Sequence, residues 1–366
     1  MGMKKLAALV MALVLCLTAV SAMAEIYHVD DDTEFSAAVD NLKDGDIIQL
    51  DGSFTTNKKI ITNKDFTLDL NTHKLTFNSH NHVFNSGANI IFKNGSIHLD
   101  ATANGQGFFS VRGAELELNG VKVTGDGIGS AYGVFLIENG STFDVVDCDI
   151  DILNDTAATG GVIKVNNGGS SAETINIKNS TITYTSKASD AVGILTDSNS
   201  EVNVENTAIE ISGTSSGINV LGEFNTKEST ITISDCSERG IKIYAQGNIV
   251  AENSKIVLDA SFRFATTPKD NQITLKNTSF NVKKIEDNDG NAFPAVAEII
   301  EKAFEFEGMA LTIGANGNIV IASAPTVNVN TDSLPQTGDN SSLMLWASML
   351  ALAAAGFVAS RKTRLN

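Results

Sequence analysis

Apolar and polar residues alternate over short runs through most of the chain, and the runs recur. Nine segments share one pattern: alternating apolar positions, a polar turn residue, then a second alternating stretch. They are LDLNTHKLTF from Leu68, IFKNGSIHL from Ile91, LELNGVKV from Leu116, FDVVDCDIDI from Phe143, INIKNSTITY from Ile175, VNVENTAIEI from Val202, FNTKESTITI from Phe224, IVAENSKIVL from Ile249 and ITLKNTSFNV from Ile273. Their turn residues are Asn71, Asn94, Asn119, Asp147, Asn179, Asn206, Glu228, Asn253 and Asn277. A second short apolar stretch lies between successive anchors: FFSV, YGVFLI, GVIKV, VGILT, GINVL and GIKIY. Period-2 alternation predicts strands with one buried face. Like units of about 26 residues, each able to bury its face only by stacking on the next, predict a solenoid. Asn and Gly at the turns tolerate left-handed backbone, and stacked Asn side chains can form ladders. The expected fold is all-β, a right-handed parallel β-helix. An all-β sandwich array is the rival. Nine or ten coils about 4.8 Å apart would make a rod roughly 45 Å long.

A solenoid needs covered ends. DDTEFSAAVDNLKDGDIIQL predicts a helix capped by Asp32 or Thr33 and running to Leu42, a turn at Asp44-Gly45-Asp46, then a strand. FPAVAEIIEKAFEFEG predicts a helix from Pro294 to Phe306, and MALTIGANGNIVIAS a hairpin around Asn316-Gly317. The helix–DGD–strand opening resembles that of pectate-lyase-like β-helix proteins over residues 25–285. The resemblance implies the fold and says little of function.

The two ends of the chain carry a different signal. Lys4 and Lys5 precede an apolar stretch, Leu6 to Val20, and the small-residue site Ala22-Met23-Ala24 follows. This pattern predicts export, with cleavage between Ala24 and Glu25. Near the other end stand Leu334, Pro335, Gln336, Thr337 and Gly338, then an uncharged stretch from Leu343 to Ala359, then Arg361, Lys362 and Arg364. Three parts in this order resemble the LPxTG cell-wall sorting signal of Gram-positive surface proteins. The resemblance implies a sortase partner, whose cysteine attacks the Thr337 carbonyl and cleaves Thr337–Gly338, and then covalent attachment to peptidoglycan through Thr337. The expected division is signal peptide 1–24, N-terminal cap 25–50, β-helix 51–285, C-terminal cap 286–323, linker 324–333 and sorting signal with transmembrane helix 334–366. The expected location is the cell wall.

Charge and chemistry narrow the function classes. The whole chain has a net charge of −17. Five of its 26 basic residues and one of its 43 acidic residues lie in the pieces to be removed, which leaves −21. Such a chain repels nucleic acid. The two remaining cysteines, Cys148 and Cys236, sit at different offsets from their turn anchors and are expected to be unpaired.

Hydrolases of the polygalacturonase type carry adjacent carboxylates, a Gly-His-Gly and an Arg-Ile-Lys element; this chain has Arg239-Gly240-Ile241-Lys242 and no Gly-His-Gly. Arginines between the two signals number three, Arg112, Arg239 and Arg263, with no acidic pair at an evident inter-coil register. No catalytic residue, cofactor or metal is assigned. Asp287-Asn288-Asp289-Gly290 and the alternating Asp147, Asp149 and Asp151 read as a turn and a solvated face. His80 and His82 would share a face if extended, which leaves a metal pair open as the lesser reading. The two longest gaps between anchors carry insertions at 125–133, 154–161 and 166–173, where Tyr132 and Asp155 are candidates to contact a glycan or host-surface ligand. The leading expectation is a sortase-anchored adhesin or structural surface component; the alternative is a wall-tethered polysaccharide lyase or glycoside hydrolase on the same scaffold. Arg239 or Arg263 stacked against a carboxylate cluster would favour the enzyme, and an outer face with only Asn, Thr and Ser ladders the passive scaffold.

Overall fold

The structure is a computed structural model that describes residues 24–100, 107–126, 132–155, 160–166, 171–188, 190–306, 308–314 and 318–323. These residues belong to one compact unit, Met1–Ala324. A second unit, Pro325–Asn366, holds Leu334 to Gly338 and lies outside the described residues.

Each repeat contributes strands to three parallel sheets, and the coils pair in register for about ten turns of a right-handed β-helix. Sheet 1 holds the strands before each turn anchor, such as Thr174–Lys178, and sheet 2 those after it, such as Thr181–Ser186. Sheet 3 holds the shorter second stretches, such as Arg239–Ile243. Pairing in sheet 1 stacks like on like. Phe66, Ile90, Leu116, Phe143, Ile175, Val202, Phe224, Ile249, Ile273 and Phe304 form one inward column along the length of the rod. All are buried.

Two side-chain columns set the corners. Eight of the nine turn anchors have left-handed backbone, with φ from 46° at Asn71 to 61° at Asn94. In the third repeat that conformation falls on Gly120 (φ 63°), one residue past Asn119. Just beyond the anchor stands a buried ladder of Cys148, Ser180, Thr207, Ser229, Ser254 and Thr278. Each hydroxyl accepts the amide of the preceding coil (Ser229 Oγ from Thr207 N, 3.1 Å) and donates to the carbonyl two residues back (Ser229 Oγ to Lys227 O, 2.7 Å). At the corner between sheets 2 and 3, Gly133, Gly161, Gly193, Gly217 and Gly240 stack where the backbones pass too closely for a side chain. A Cβ on Gly217 would lie 2.6 Å from the Gly240 carbonyl. That contact explains the recurring glycine in GVIKV, GINVL and GIKIY.

Both ends are covered as the fold class expects. Helix α1, Asp32–Asp40, is capped by Asp31 rather than by Asp32 or Thr33, since the Asp31 Oδ1 accepts the Glu34 amide at 2.9 Å, and it stops short of Leu42. It buries Phe35 and Ala38 against the first coils. A strand that the alternation did not announce, Ile26–Val29, precedes it and pairs with Asp46–Leu50. At the other end helix α2 spans Val296–Ala303, shorter than the 294–306 stretch expected. Strands Met309–Ile313 and Ile319–Ser323 pair antiparallel, and the second lies antiparallel on Phe280–Val282, closing the edge of sheet 2. Among the described residues no helix is long and apolar enough to cross a membrane; the stretch from Leu343 to Ala359 lies outside them.

Candidate functional site

The outer faces of the three sheets differ in chemistry. On sheet 1 an amide ladder runs from Asp144 through Asn176, Asn203 and Asn225, with steps of 2.8, 3.1 and 3.0 Å. Beside it Lys178 and Lys227 both reach Glu205, at 3.0 and 3.7 Å, and cations and anions alternate along the column through Glu252 and Lys276. An open groove of about 310 Å³ there is lined by Asn203, Asn225, Glu205, Lys227 and Val250, among others. Sheet 2 presents Thr and Ser between acidic positions, for example Thr181, Thr183 and Thr185 beside Asp149 and Asp151.

Sheet 3 gathers arginines and lysines. Its outward column places Leu136, Lys164, Leu195, Asn219, Lys242, Arg263 and Glu286 in register on successive coils. All three arginines of the region between the signals lie on this sheet: Arg112 on Phe109–Arg112, Arg239 on Arg239–Ile243 and Arg263 on Lys255–Phe264. Each meets one glutamate rather than an acidic pair. Arg112 Nε reaches Glu138 at 3.0 Å on the next coil, Arg263 Nη2 reaches Glu286 at 3.1 Å, and Arg239 pairs with its neighbour Glu238. Arg239 also donates from Nε to Ser216 Oγ at 3.2 Å, which donates to Asn219 Oδ1 at 2.7 Å; Ser216 and Asn219 are buried. Glu286 is almost fully buried and also pairs with Lys284. Burial works against its charge, but hydrogen bonds from Lys284, Ser261 and Arg263 outweigh it and hold the carboxyl below the usual glutamate range. The Arg263 Nε is buried with no partner, so the guanidinium retains an unused donor.

Two lysines complete the strip, each over a tyrosine ring: Lys164 Nζ lies 4.6 Å from the Tyr132 centroid and Lys242 Nζ 4.8 Å from that of Tyr244. Burial lowers the Lys164 pKa. Burial, then repulsion from Arg239 and Arg263, lowers that of Lys242. A half-buried amine with weakened hold on its proton, between two guanidiniums, can bind a carboxylate and can accept a proton.

The residues singled out from the sequence fare unevenly, and the strip lies among them only in part. Tyr132 is exposed and stands under Lys164. Asp155 is exposed just past the sheet 2 strand Asp149–Asn154. Ala24 and Glu25 come just before the strand Ile26–Val29, while Ala22 and Leu334 to Gly338 lie outside the described residues. The insertions at 125–133 and 154–161 fall between sheets 2 and 3, and that at 166–173 between sheets 3 and 1, so all three flank sheet 3; much of each lies outside the described residues.

The metal reading of His80 and His82 fails. His82 is fully buried, its Nδ1 accepts the Ile60 amide at 3.1 Å and its Nε2 lies 3.0 Å from the Ser79 carbonyl. Asp287 accepts the amides of Asp289 and Asn291, both at 2.9 Å, as a turn residue does. Asp149 pairs with Lys122 at 2.8 Å. Asp30, Asp31 and Glu34 bring carboxylate oxygens within 4.8 Å of one another, but they are exposed and Asp31 is engaged in capping. Cys148 and Cys236 are unpaired.

Lys164 and Lys242 were not singled out from the sequence. Lys164 stands three residues after Gly161 and Lys242 two after Gly240, so the glycines do not mark the place that the sheet register gives them both.

No protein-family model and no curated protein matches the sequence. A solved structure similar to this chain is a PL6 family alginate lyase, AlyGC, in an arginine-to-alanine mutant form. It is 12% identical with a TM-score of 0.28, over 86% of this chain and 59% of the lyase. This chain therefore spans less than two thirds of that protein's length, and at that score the likeness carries no argument about activity.

Proposed function

We propose that the protein is an exported, cell-wall-anchored β-helix that holds carboxylate-bearing polysaccharide along sheet 3. The observation that carries the reading is the gathering of all three arginines and of Lys164 and Lys242 on one outer face of a chain whose net charge is −17. Negative charge elsewhere repels a polyanion, so binding is confined to the strip. Arginine forks suit carboxylates, and the spacing of coils, about 4.8 Å, repeats the contact along an extended polymer. Anchoring rests on the order of LPQTG, apolar stretch and basic tail, with sortase and peptidoglycan as partners. A glycan array against the purified chain, with acidic and neutral polymers, tests the binding. Replacement of Thr337 by Ala tests the anchoring: the variant is expected in the membrane or medium rather than the wall fraction, and unchanged fractionation overturns that half.

One observation favours a second reading, β-elimination of a uronate polymer. Lys242, its proton affinity lowered by burial and by Arg239 and Arg263, would take the proton α to a carboxylate as the bond to the β-glycosidic oxygen breaks, the double bond forms and the released oxygen takes a proton from water. The unsaturated product absorbs in the ultraviolet, so a rise in absorbance on adding polyuronate, lost in Lys242→Met, supports the enzyme; its absence from the wild-type digest refutes it.

A further inference from the structure

The first rung of the solenoid carries a feature that polysaccharide binding does not use. Asp46 opens the strand Asp46–Leu50 and is 1% exposed, an almost fully buried carboxylate with no cationic side chain paired to it among the described residues. Its Oδ1 accepts the backbone N–H of Glu25 at 2.9 Å, and its Oδ2 accepts the amide of Lys43 at 2.8 Å. Glu25 is held from several sides. Its carbonyl accepts the Ile47 amide at 2.8 Å, and its side chain accepts the Tyr27 hydroxyl at 3.1 Å and the Lys43 ammonium at 3.3 Å. Glu25 is also the residue that the leader pattern makes the new N-terminus.

We propose that removal of the leader builds an N-terminal latch, in which the α-ammonium of Glu25 pairs with the buried Asp46 carboxylate and fastens the first rung of the solenoid. The inference rests on cleavage between Ala24 and Glu25. Water adds across that peptide bond; Ala24 leaves with the new carboxylate, and the Glu25 nitrogen becomes an amine that takes a proton at neutral pH. A neutral amide facing Asp46 is thereby replaced by a cation with three donors at the same place. A charge-assisted hydrogen bond is about twice as strong as a neutral one, and a buried carboxylate gains most from a paired cation. The uncut chain has the amide only, so the end cap is completed after export. The charged groups around the amine are Asp46, the Glu25 carboxylate and Lys43, with the Tyr27 hydroxyl beside them; Lys43 is engaged by the Glu25 side chain.

The test uses the full chain exported from a bacterial secretion host. Mass spectrometry reads its first residue, and the pH dependence of acylation at that residue reads the titration of its α-amine. The expected first residue is Glu25. The expected midpoint lies about one unit or more above the ordinary 7.7–8.0, a tenfold gain in proton affinity. Asp46→Asn is expected to return the midpoint to the ordinary value; should that variant fail to accumulate, the wild-type midpoint alone decides. A chain beginning elsewhere overturns the cleavage site and the latch together. A chain beginning at Glu25 with an ordinary midpoint, or one unmoved by Asp46→Asn, overturns the latch alone.

Discussion

Arg263 and Glu286 face each other across one coil of sheet 3, Nη2 to carboxylate 3.1 Å, with the glutamate almost wholly out of contact with water. The pair joins the cationic strip to the last full rung. Because the Glu286 carboxyl is held below its ordinary range in the fold, it stabilises the native state above the unfolded glutamate pKa of about 4.3. That contribution is lost as pH falls through the folded value. Urea unfolding at pH 7 and at pH 3.5 measures it. Glu286→Gln is expected to lose less stability over that step than the wild type does.

His82 gives a second acid-sensitive point. It is packed against Phe77, Phe108 and Phe109, with ring centroids 4.4, 5.5 and 5.2 Å away, and burial lowers its pKa to about 3. A base buried in its neutral form favours unfolding once it must charge. Its contribution is intact above the unfolded pKa of about 6.5 and falls by about 1.4 kcal/mol per pH unit down to the folded value. Equilibrium unfolding at pH 7 and 4.5 is expected to differ by roughly 2–3 kcal/mol from this residue, and His82→Gln to remove that part of the slope.

Glu228 is the one turn anchor that is neither Asn, Asp nor Gly in a left-handed conformation, at φ 51°. A side chain with no local hydrogen bond to offer has a cost of about 1 kcal/mol there. The residue is exposed. Glu228→Gly is expected to stabilise the protein by roughly 0.5–1 kcal/mol, read as a higher urea midpoint.

The corner ladder separates two substitutions that look alike on paper. Cys148 occupies the place that Ser180, Ser229 and Ser254 hold on other coils, and its sulfur accepts the Val121 amide at 3.4 Å. Cys148→Ser is expected to change stability by less than about 1 kcal/mol, since a hydroxyl fits that place elsewhere. Ser229→Ala strips the Thr207 amide of its acceptor and is expected to cost about 1–3 kcal/mol. The urea midpoints of the two variants measure the difference.

Much of the fold was legible in the sequence, because stacking repeats one local rule. Asn at the turn signals left-handed backbone, alternation signals the buried column, and the glycine recurring at the start of several sheet 3 stretches signals a close approach. The strand Ile26–Val29 was not legible, being a four-residue run whose place is set by its partner Asp46–Leu50. The candidate site was half legible. Arg239 and Arg263 were noticed, but register decides what they face, and coils of unequal length hide register. Lys242 lies 21 positions before Arg263 and yet directly beside it in the sheet. Of the two guanidiniums that act on Lys242, Arg239 is near in sequence and Arg263 is brought in only by register.

The most direct test is the affinity of the full chain for a polyuronate, measured by titration calorimetry at low and moderate salt beside a neutral glucan and repeated with Lys242→Met. Affinity for the polyuronate alone, weakening as salt rises and falling about tenfold in the variant, is the expected result. Equal affinity for the neutral polymer, or a Lys242→Met variant that binds as the wild type does, would contradict the assignment of sheet 3 as the binding face.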